Sequence, residues 1–236
     1  MRDNRPAANT LETVEFTSTD RVGGVSVRRA TIYSGRSADA YRVLYMQLIY
    51  PSDLRGSRFL IAERDGATRV FLSLAGSPQL KQIASAGQSS GLLGTDFSSE
   101  DLAQLYGLSR PGRSRRLEDG QSEDRPTYVI ETRPLAQERS TYSAIVSHVD
   151  KDTCVVLRSE FYERPGQLRK VLVAPTSGLK RLGSGWIAHE LTMRDLRDET
   201  ETRLVVQRIE TGERIRDLPI QVEAPAGDGS PAPQSE

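Results

Sequence analysis

Short runs of alternating apolar and polar residues, each closed by turn chemistry, recur along both halves of this chain and constrain its fold more than any other feature. Thr13 to Thr19 sets Val14 and Phe16 among polar neighbours, Gly23-Gly24 turns the chain, and Val25 to Tyr33 follows. A period of two puts successive side chains on opposite faces of a sheet, so these runs read as strands. From Tyr41 to Tyr50, Leu44, Met46 and Leu48 share one face and Val43, Tyr45 and Ile49 the other, which predicts a strand covered on both sides. Arg58 to Glu63 and Arg69 to Leu74 flank Asp65-Gly66, the chemistry of a tight hairpin. Further strands are predicted at Thr127 to Arg133, Tyr142 to Val149, Cys154 to Tyr162, Leu168 to Ala174, Trp186 to Arg194 and Thr202 to Ile209. The sum is about eleven strands. An up-and-down antiparallel sheet of that size must curl or close to bury its edges and inner face.

Between the halves the period is lost. Ala75 to Gly94 is rich in Gly and Ser with scattered apolar residues, and it predicts a long, mobile loop. Ser98-Ser99-Glu100-Asp101 has the form of a helix start, a Ser cap with acids at the positive end of the dipole. Leu102 and Leu105 then share one helix face, and Gly107 ends it. Arg110 to Arg116 reads as an exposed basic loop. Residues 1–222 are predicted to form a single domain, and Pro, Gly, Ser and Ala over residues 223–236 predict a disordered tail.

The bulk numbers remove several function classes. Lys+Arg 32 against Asp+Glu 32 leaves no net charge to attract nucleic acid. Lysine appears only at positions 81, 151, 170 and 180. A lone Cys154 makes no internal disulfide, redox pair or thiolate metal site, and packing in an apolar strand is its expected role. No run approaches the ~18 apolar residues of a spanning helix, and Met1 to Pro6 lacks the apolar segment of a secretion signal. The reading is therefore a cytoplasmic chain or one whose leader has been removed.

Catalytic and cofactor chemistry finds no foothold. His148 and His189 are the only histidines, both inside predicted strands; Glu190 next to His189 points to the opposite face, and Asp150 falls in the turn after the strand that holds His148. No nucleophile elbow follows a predicted strand, and there is no phosphate-binding GxxxxGK[ST] and no dinucleotide fingerprint, so no cofactor is expected. The most unusual stretch is Gly91-Leu92-Leu93-Gly94-Thr95-Asp96-Phe97. Its glycines permit tight backbone, its apolar residues supply contacts, and Asp96 can bond nearby amides. Physics alone leaves two readings open, a hinge feeding the helix or part of a ligand mouth.

Gly94-Thr95-Asp96-Phe97-Ser98 followed by Glu100-Asp101-Leu102 resembles the signature of the outer-membrane lipoprotein-sorting proteins related to LolA. Other landmarks fall in order: Asp3 to Pro6, Pro51-x-Asp53-x-Arg55-Gly56, Val149-Asp150-Lys151, Glu160-Phe161-Tyr162 and Gly185-Trp186-Ile187-Ala188. Two departures stand out. An aromatic and basic run usual after the Val70-Phe71-Leu72 strand is absent, and Asp217-Leu218-Pro219-Ile220 replaces a closing Phe-containing segment.

This resemblance implies a half-open antiparallel β-barrel, with a short helix and loop covering its concave face, that holds acyl chains in a hydrophobic cavity in the periplasm. It implies a non-enzymatic carrier of a lipid or acylated lipoprotein, monomeric, exchanging cargo with an inner-membrane transporter of the resistance-nodulation-division type or an outer-membrane acceptor. Leu44, Met46, Leu48, Leu60, Leu92, Leu93, Phe97, Leu102 and Leu105 are the candidate lipid-binding residues. The alternatives are a sensor on the same fold that binds a partner through Arg110 to Arg116, and a hydrolase using His148 or His189. If the Ala75 to Gly94 segment gates a lipid site, limited proteolysis should cut it before any other interior site, and added lipid should slow that cut. Equal cutting with and without lipid would end its claim to be a gate.

Overall fold

The computed structural model describes residues 9–37, 41–64, 67–77, 79–83, 91–108, 112–135, 140–163 and 166–212. The hairpin turn at Asp65-Gly66, the middle of the Ala75 to Gly94 segment and the proposed tail lie outside these residues. The architecture is mainly β, one large antiparallel sheet that is not closed into a barrel, with a single α-helix among the described residues.

The first meander runs β1 (Thr10–Thr19), β2 (Val25–Arg36), β3 (Arg42–Tyr50), β4 (Arg58–Arg64), β5 (Ala67–Ser73) and the two-residue β6 (Lys81–Gln82). The second comprises β7 (Gly112–Arg116), β8 (Gly120–Ser122), β9 (Arg125–Pro134), β10 (Tyr142–Asp150), β11 (Val156–Glu163), β12 (Leu168–Val173), β15 (Glu190–Asp195) and β16 (Thr200–Thr211). Between β12 and β15 a separate hairpin stands off, β13 (Leu179–Leu182) with β14 (Gly185–Ala188). The order across the large sheet is β6-β5-β4-β3-β2-β1-β16-β15-β12-β11-β10-β9-β7, with β8 also on β9.

This order explains the helix. Pairing of β1 with β16 joins the two meanders at the centre, so β6 and β7 end up at opposite edges. The chain between them must cross from one edge to the other. It does so over the concave face as the segment 91–108, which contains α1 (Ser99–Leu105). The expected strand count rises from eleven to sixteen because β6, β7, β8 and β13 are short and the Trp186 to Arg194 run breaks into β14 and β15 at His189. The expected Arg110 to Arg116 loop is corrected in part: Gly112–Arg116 is a strand, exposed throughout, whose pairing with β9 its charged sequence does not announce.

Apolar residues divide as the period requires. Leu44, Met46 and Leu48 enter the main core under the concave face with Val14, Phe16, Ile32 and Phe59. Val43 joins a smaller convex cluster with Tyr33, Leu60 and Ala62, against which Tyr45, Phe71 and Leu80 pack. Ile49 escapes both because the β2–β3 register shifts at Arg29/Ala30 and leaves it exposed.

Cys154 corrects a second expectation. It lies outside β11, exposed and with φ of 55°, in a tight turn after β10. Asp150 builds that turn: its backbone carbonyl accepts from Cys154 N, and its carboxylate accepts from Thr153 N (3.0 Å), the Thr153 hydroxyl and Arg125 Nη2 (2.7 Å). Burial alone would raise the Asp150 carboxyl, but the bonds from Arg125 and Thr153 outweigh it and hold the group below the usual carboxylate range. A carboxyl lowered on folding stabilises the native state above its unfolded value of about 3.9, and that contribution disappears as pH falls through the folded value. Asp150→Asn should therefore lower the urea midpoint at pH 7, with the deficit shrinking toward pH 3. A deficit constant over that range would show the turn does not depend on the charge.

Candidate functional site

The crossing segment is held to the sheet chiefly by side chains, with Asp96 and Asp101 bonded to strand residues and Glu100 to the residues just before β10. Its start is a tight loop: Leu92 N donates to Phe97 O (2.7 Å), and both Thr95 N (3.0 Å) and the Thr95 hydroxyl (2.8 Å) donate to Leu92 O. Leu93 (φ 53°) and Gly94 (φ 75°) take left-handed conformations in succession. A Cβ at Gly91 would stand 2.1 Å from the Thr95 carbonyl oxygen, so no side chain fits there. Phe97 then meets Phe16 of β1 edge-to-face, with centroids 6.0 Å apart.

Asp96 and Asp101 form the attachment. Asp96 accepts from the Thr200 hydroxyl and from Thr202 Oγ1 (2.6 Å), while its own amide donates back to Thr202 Oγ1 (2.9 Å) and Ser18 Oγ lies 2.9 Å beyond. Asp101 and Ser98 make a reciprocal capping box at the start of α1. The Asp101 carboxylate also accepts from Lys170 Nζ (3.0 Å) and from Tyr142 OH (2.8 Å), and Lys170 donates again to Asp96 O (2.7 Å). Lys170 and Asp101 side chains are 5% and 1% exposed, so this ion pair is shut away from water. Burial first, and then the negative charge of Asp101, raise Tyr142 well above the tyrosine range, which keeps its hydroxyl a donor. Glu100 accepts from the Ser140 hydroxyl and Thr141 N; at the other end of the segment Tyr106 OH donates to Glu12 (2.7 Å) and Arg42 to Gly107 O.

Of the candidate lipid-binding residues, Leu44, Met46 and Leu48 of β3 meet Leu92, Phe97 and Leu102 of the crossing segment in one buried cluster, with Leu93 and Leu105 partly buried against it. Leu60 is not brought to them. Phe59 and Ile61 on either side of it face the concave core, so alternation puts Leu60 on the convex face, where Tyr33 and Val43 surround it. The concave contact is thus filled by the chain's own side chains.

Sequence reasoning missed Lys170, Tyr142, Thr200 and Thr202. Lys170 carried a readable signal, since it is one of four lysines and alternates with Leu168 and Leu172 on an inward-facing period. The threonines carried none, because their role depends on which loop arrives above them. The histidines take ordinary places: burial lowers both, His148 sits 3.4 Å from Thr127, and His189 Nδ1 lies 3.2 Å from the Val206 carbonyl. Among the described residues no group of three or more His, Cys, Asp or Glu could hold a metal, and no helix is long and apolar enough to cross a membrane.

A large open antiparallel sheet curled about one apolar face, with a short helix laid across it, is the LolA-like fold. Similar solved structures agree. One is described as an outer membrane lipoprotein-sorting protein domain from Vibrio parahaemolyticus (23% identity, TM-score 0.78, covering 90% of this chain and 88% of that one). Others are a DUF1329 family protein from Desulfovibrio piger (17%, 0.81, 90% and 89%) and a LolA superfamily protein from Nitrosomonas europaea (16%, 0.69, 92% and 90%). A family model described as that of an uncharacterized protein matches residues 42–218, and the chain belongs to that family. No curated protein matches.

Removing one member of a buried ion pair leaves the other uncompensated, at a cost of about 3–5 kcal/mol. Lys170→Met should show a loss of that order in urea unfolding, and Lys170→Met/Asp101→Asn should recover part of it by removing the stranded charge. A single-variant loss under about 1 kcal/mol would mean the pair does not hold the segment.

Proposed function

We propose that this chain is a periplasmic carrier that binds a lipid, or the acyl chains of a lipoprotein, against its concave face and moves them between envelope membranes. The observation that carries the reading is that the cover on the apolar concave face is one short segment attached mainly through side chains. A strand in the sheet is bound by a ladder of main-chain hydrogen bonds, whereas the cover can lift as a unit without unpairing any strand. Lifting it uncovers Leu44, Met46 and Leu48 on one wall and Leu92, Phe97 and Leu102 on the other. Acyl chains gain about 0.8 kcal/mol per buried methylene, so such a face binds them without catalytic groups, and Met46 adapts to flexible chains. The similarity to the Vibrio parahaemolyticus lipoprotein-sorting domain supports the cargo class. An inner-membrane permease of the resistance-nodulation-division type or an outer-membrane acceptor would be the exchange partner.

A second reading, a sensor that engages a partner protein, draws on one specific observation. Strand β7 is one of the two edges of the sheet, and all five of its residues, Gly-Arg-Ser-Arg-Arg, are exposed. Extractable lipid in the purified protein favours the carrier; an acidic partner lost on Arg113→Glu/Arg115→Glu favours the sensor.

Met46→Glu tests the carrier. With the cover lifted, a carboxylate at position 46 can reach water, so the variant should fold with a lowered melting temperature and bind a fluorescent fatty acid at least ~10-fold more weakly. Binding as tight as that of the unmodified protein would remove this face from the site.

A further inference from the structure

Exposed large apolar side chains are not spread over this molecule. Among the described residues they are Val22 (84%), Val25 (65%), Leu74, Leu196, Tyr50, Ile49 and Tyr128. Single exposed apolar residues are ordinary, and it is their placement that departs from the ordinary. The register locates each one. Thr19 lies opposite both Val25 and Glu201, so the β1–β2 turn that holds Val22 and the β15–β16 turn that holds Leu196 stand side by side. Arg29 opposite Tyr50 brings the end of β3 to the same side, and Arg58 opposite Ser73 brings Leu74 there. Only Tyr128, level with Val149, belongs to the other end. Six of the seven therefore line one end of the curled sheet. It is also the end at which Asp96 meets Thr200 and Asp101 meets Lys170 and Tyr142.

We propose that this end is a membrane-docking rim, whose apolar turn tips enter the headgroup layer of a lipid bilayer and seat the mouth of the concave face against it. A bilayer fits these residues better than a folded partner does. The tips come from separate turns at different heights, the β1–β2 hairpin reaching about four residues beyond Tyr50, and a fluid layer accommodates such steps where a rigid surface would need matching relief. Three of the tips have an arginine beside them, two of these paired with a glutamate, Arg29 with Glu15 and Arg197 with Glu163. Arg21 precedes Val22, Arg197 follows Leu196, and Arg29 lies over the Tyr50 ring at 5.6 Å. The Asp20 carboxylate beside Val22 is occupied within its own turn, accepting from Val22 N (2.9 Å) and Gly24 N (2.8 Å). Charges of both signs occur here, Arg21, Arg55 and Arg197 against Asp53, Asp198 and Glu199, so the attraction is apolar and needs no anionic lipid. The inference rests on the carrier reading for its purpose but on different residues, so the two can fail separately.

The test is co-flotation of the full chain with vesicles of phosphatidylcholine alone and of phosphatidylcholine with phosphatidylglycerol, at low and high salt. The unmodified protein should float with both compositions, with little effect of salt. Val22→Ser/Val25→Ser, whose positions are exposed and should leave the melting temperature unchanged, should bind at least ~10-fold more weakly, since burying each valine is favourable. Tyr128→Ser at the opposite end should float like the unmodified protein. Absence of flotation on either vesicle, flotation only with phosphatidylglycerol at low salt, or undiminished binding by the double variant would each overturn the proposal. Fatty-acid binding measured on the same double variant separates the two readings: if it persists while flotation is lost, rim and concave site are distinct.

Discussion

The carboxylate of Asp101 is the point at which cover and sheet become one structure. It closes the capping box of α1 with Ser98, takes the ammonium of Lys170 from β12 and accepts the Tyr142 hydroxyl from β10. Such a cluster does not add much net stability. Desolvating two charges cancels most of their attraction, and apolar residues of equal volume often do as well or better. What the cluster supplies is position. With Asp96 on Thr200 and Thr202, it leaves the segment one seat along the concave face, because any other seat strands buried charge and hydroxyl groups without partners. An attachment that is specific yet near neutral in net energy suits a cover that, under the carrier proposal, has to both close and open.

That cover exists because of how the sheet is ordered. Two meanders joined through β1 and β16 leave β6 and β7 at far edges, and the chain has to travel between them. Crossing on the concave side buries Phe97 and Leu102 against Phe16 and its neighbours, where a convex crossing would leave that face to water. The convex face has a smaller apolar surface to hide, and Tyr45, Phe71 and Leu80 pack there against Leu60 and Val43. A filled concave face and an openable cover are compatible. The same side chains that fill the space in the closed form would line it in the open one.

Much of this was legible in the alternation of the strands and in one short motif. Period two assigned Leu44, Met46 and Leu48 to one face and Val43 to the other, and the Ser98 cap with its acids announced α1 at the residue where it begins. Less legible was everything that depends on partners distant in sequence. Asp96 was read as a local turn former, yet it bonds to hydroxyls 104 and 106 positions away. Strand β7 was hidden because Gly112–Arg116 has no apolar alternation at all: an edge strand in water has no face that needs it. Cys154 was misplaced because the Asp150 turn, with a left-handed residue that is not Gly or Asn, delays the start of β11. Leu60 illustrates the limit of composition, since its chemistry suits a lipid site while its parity puts it across the sheet from the other candidate residues.

The two ends of the curled sheet are not equivalent, and the difference bears on how a cover of this kind could work. At one end the segment is joined through Asp96, Glu100 and Asp101; at the other Tyr106 and Gly107 make polar contact with the sheet, through Glu12 and Arg42. The denser set of bonds lies at the end bordered by exposed apolar turns, the proposed mouth. Bonds to buried charges strengthen as water is excluded and weaken where water or another polar surface competes for the same groups. A surface brought against that mouth would therefore act on the polar attachments of the cover before it met the apolar contacts beneath. Under the carrier proposal the polar motif of the segment would govern when the concave face opens, and the leucines behind it would govern what the face can hold.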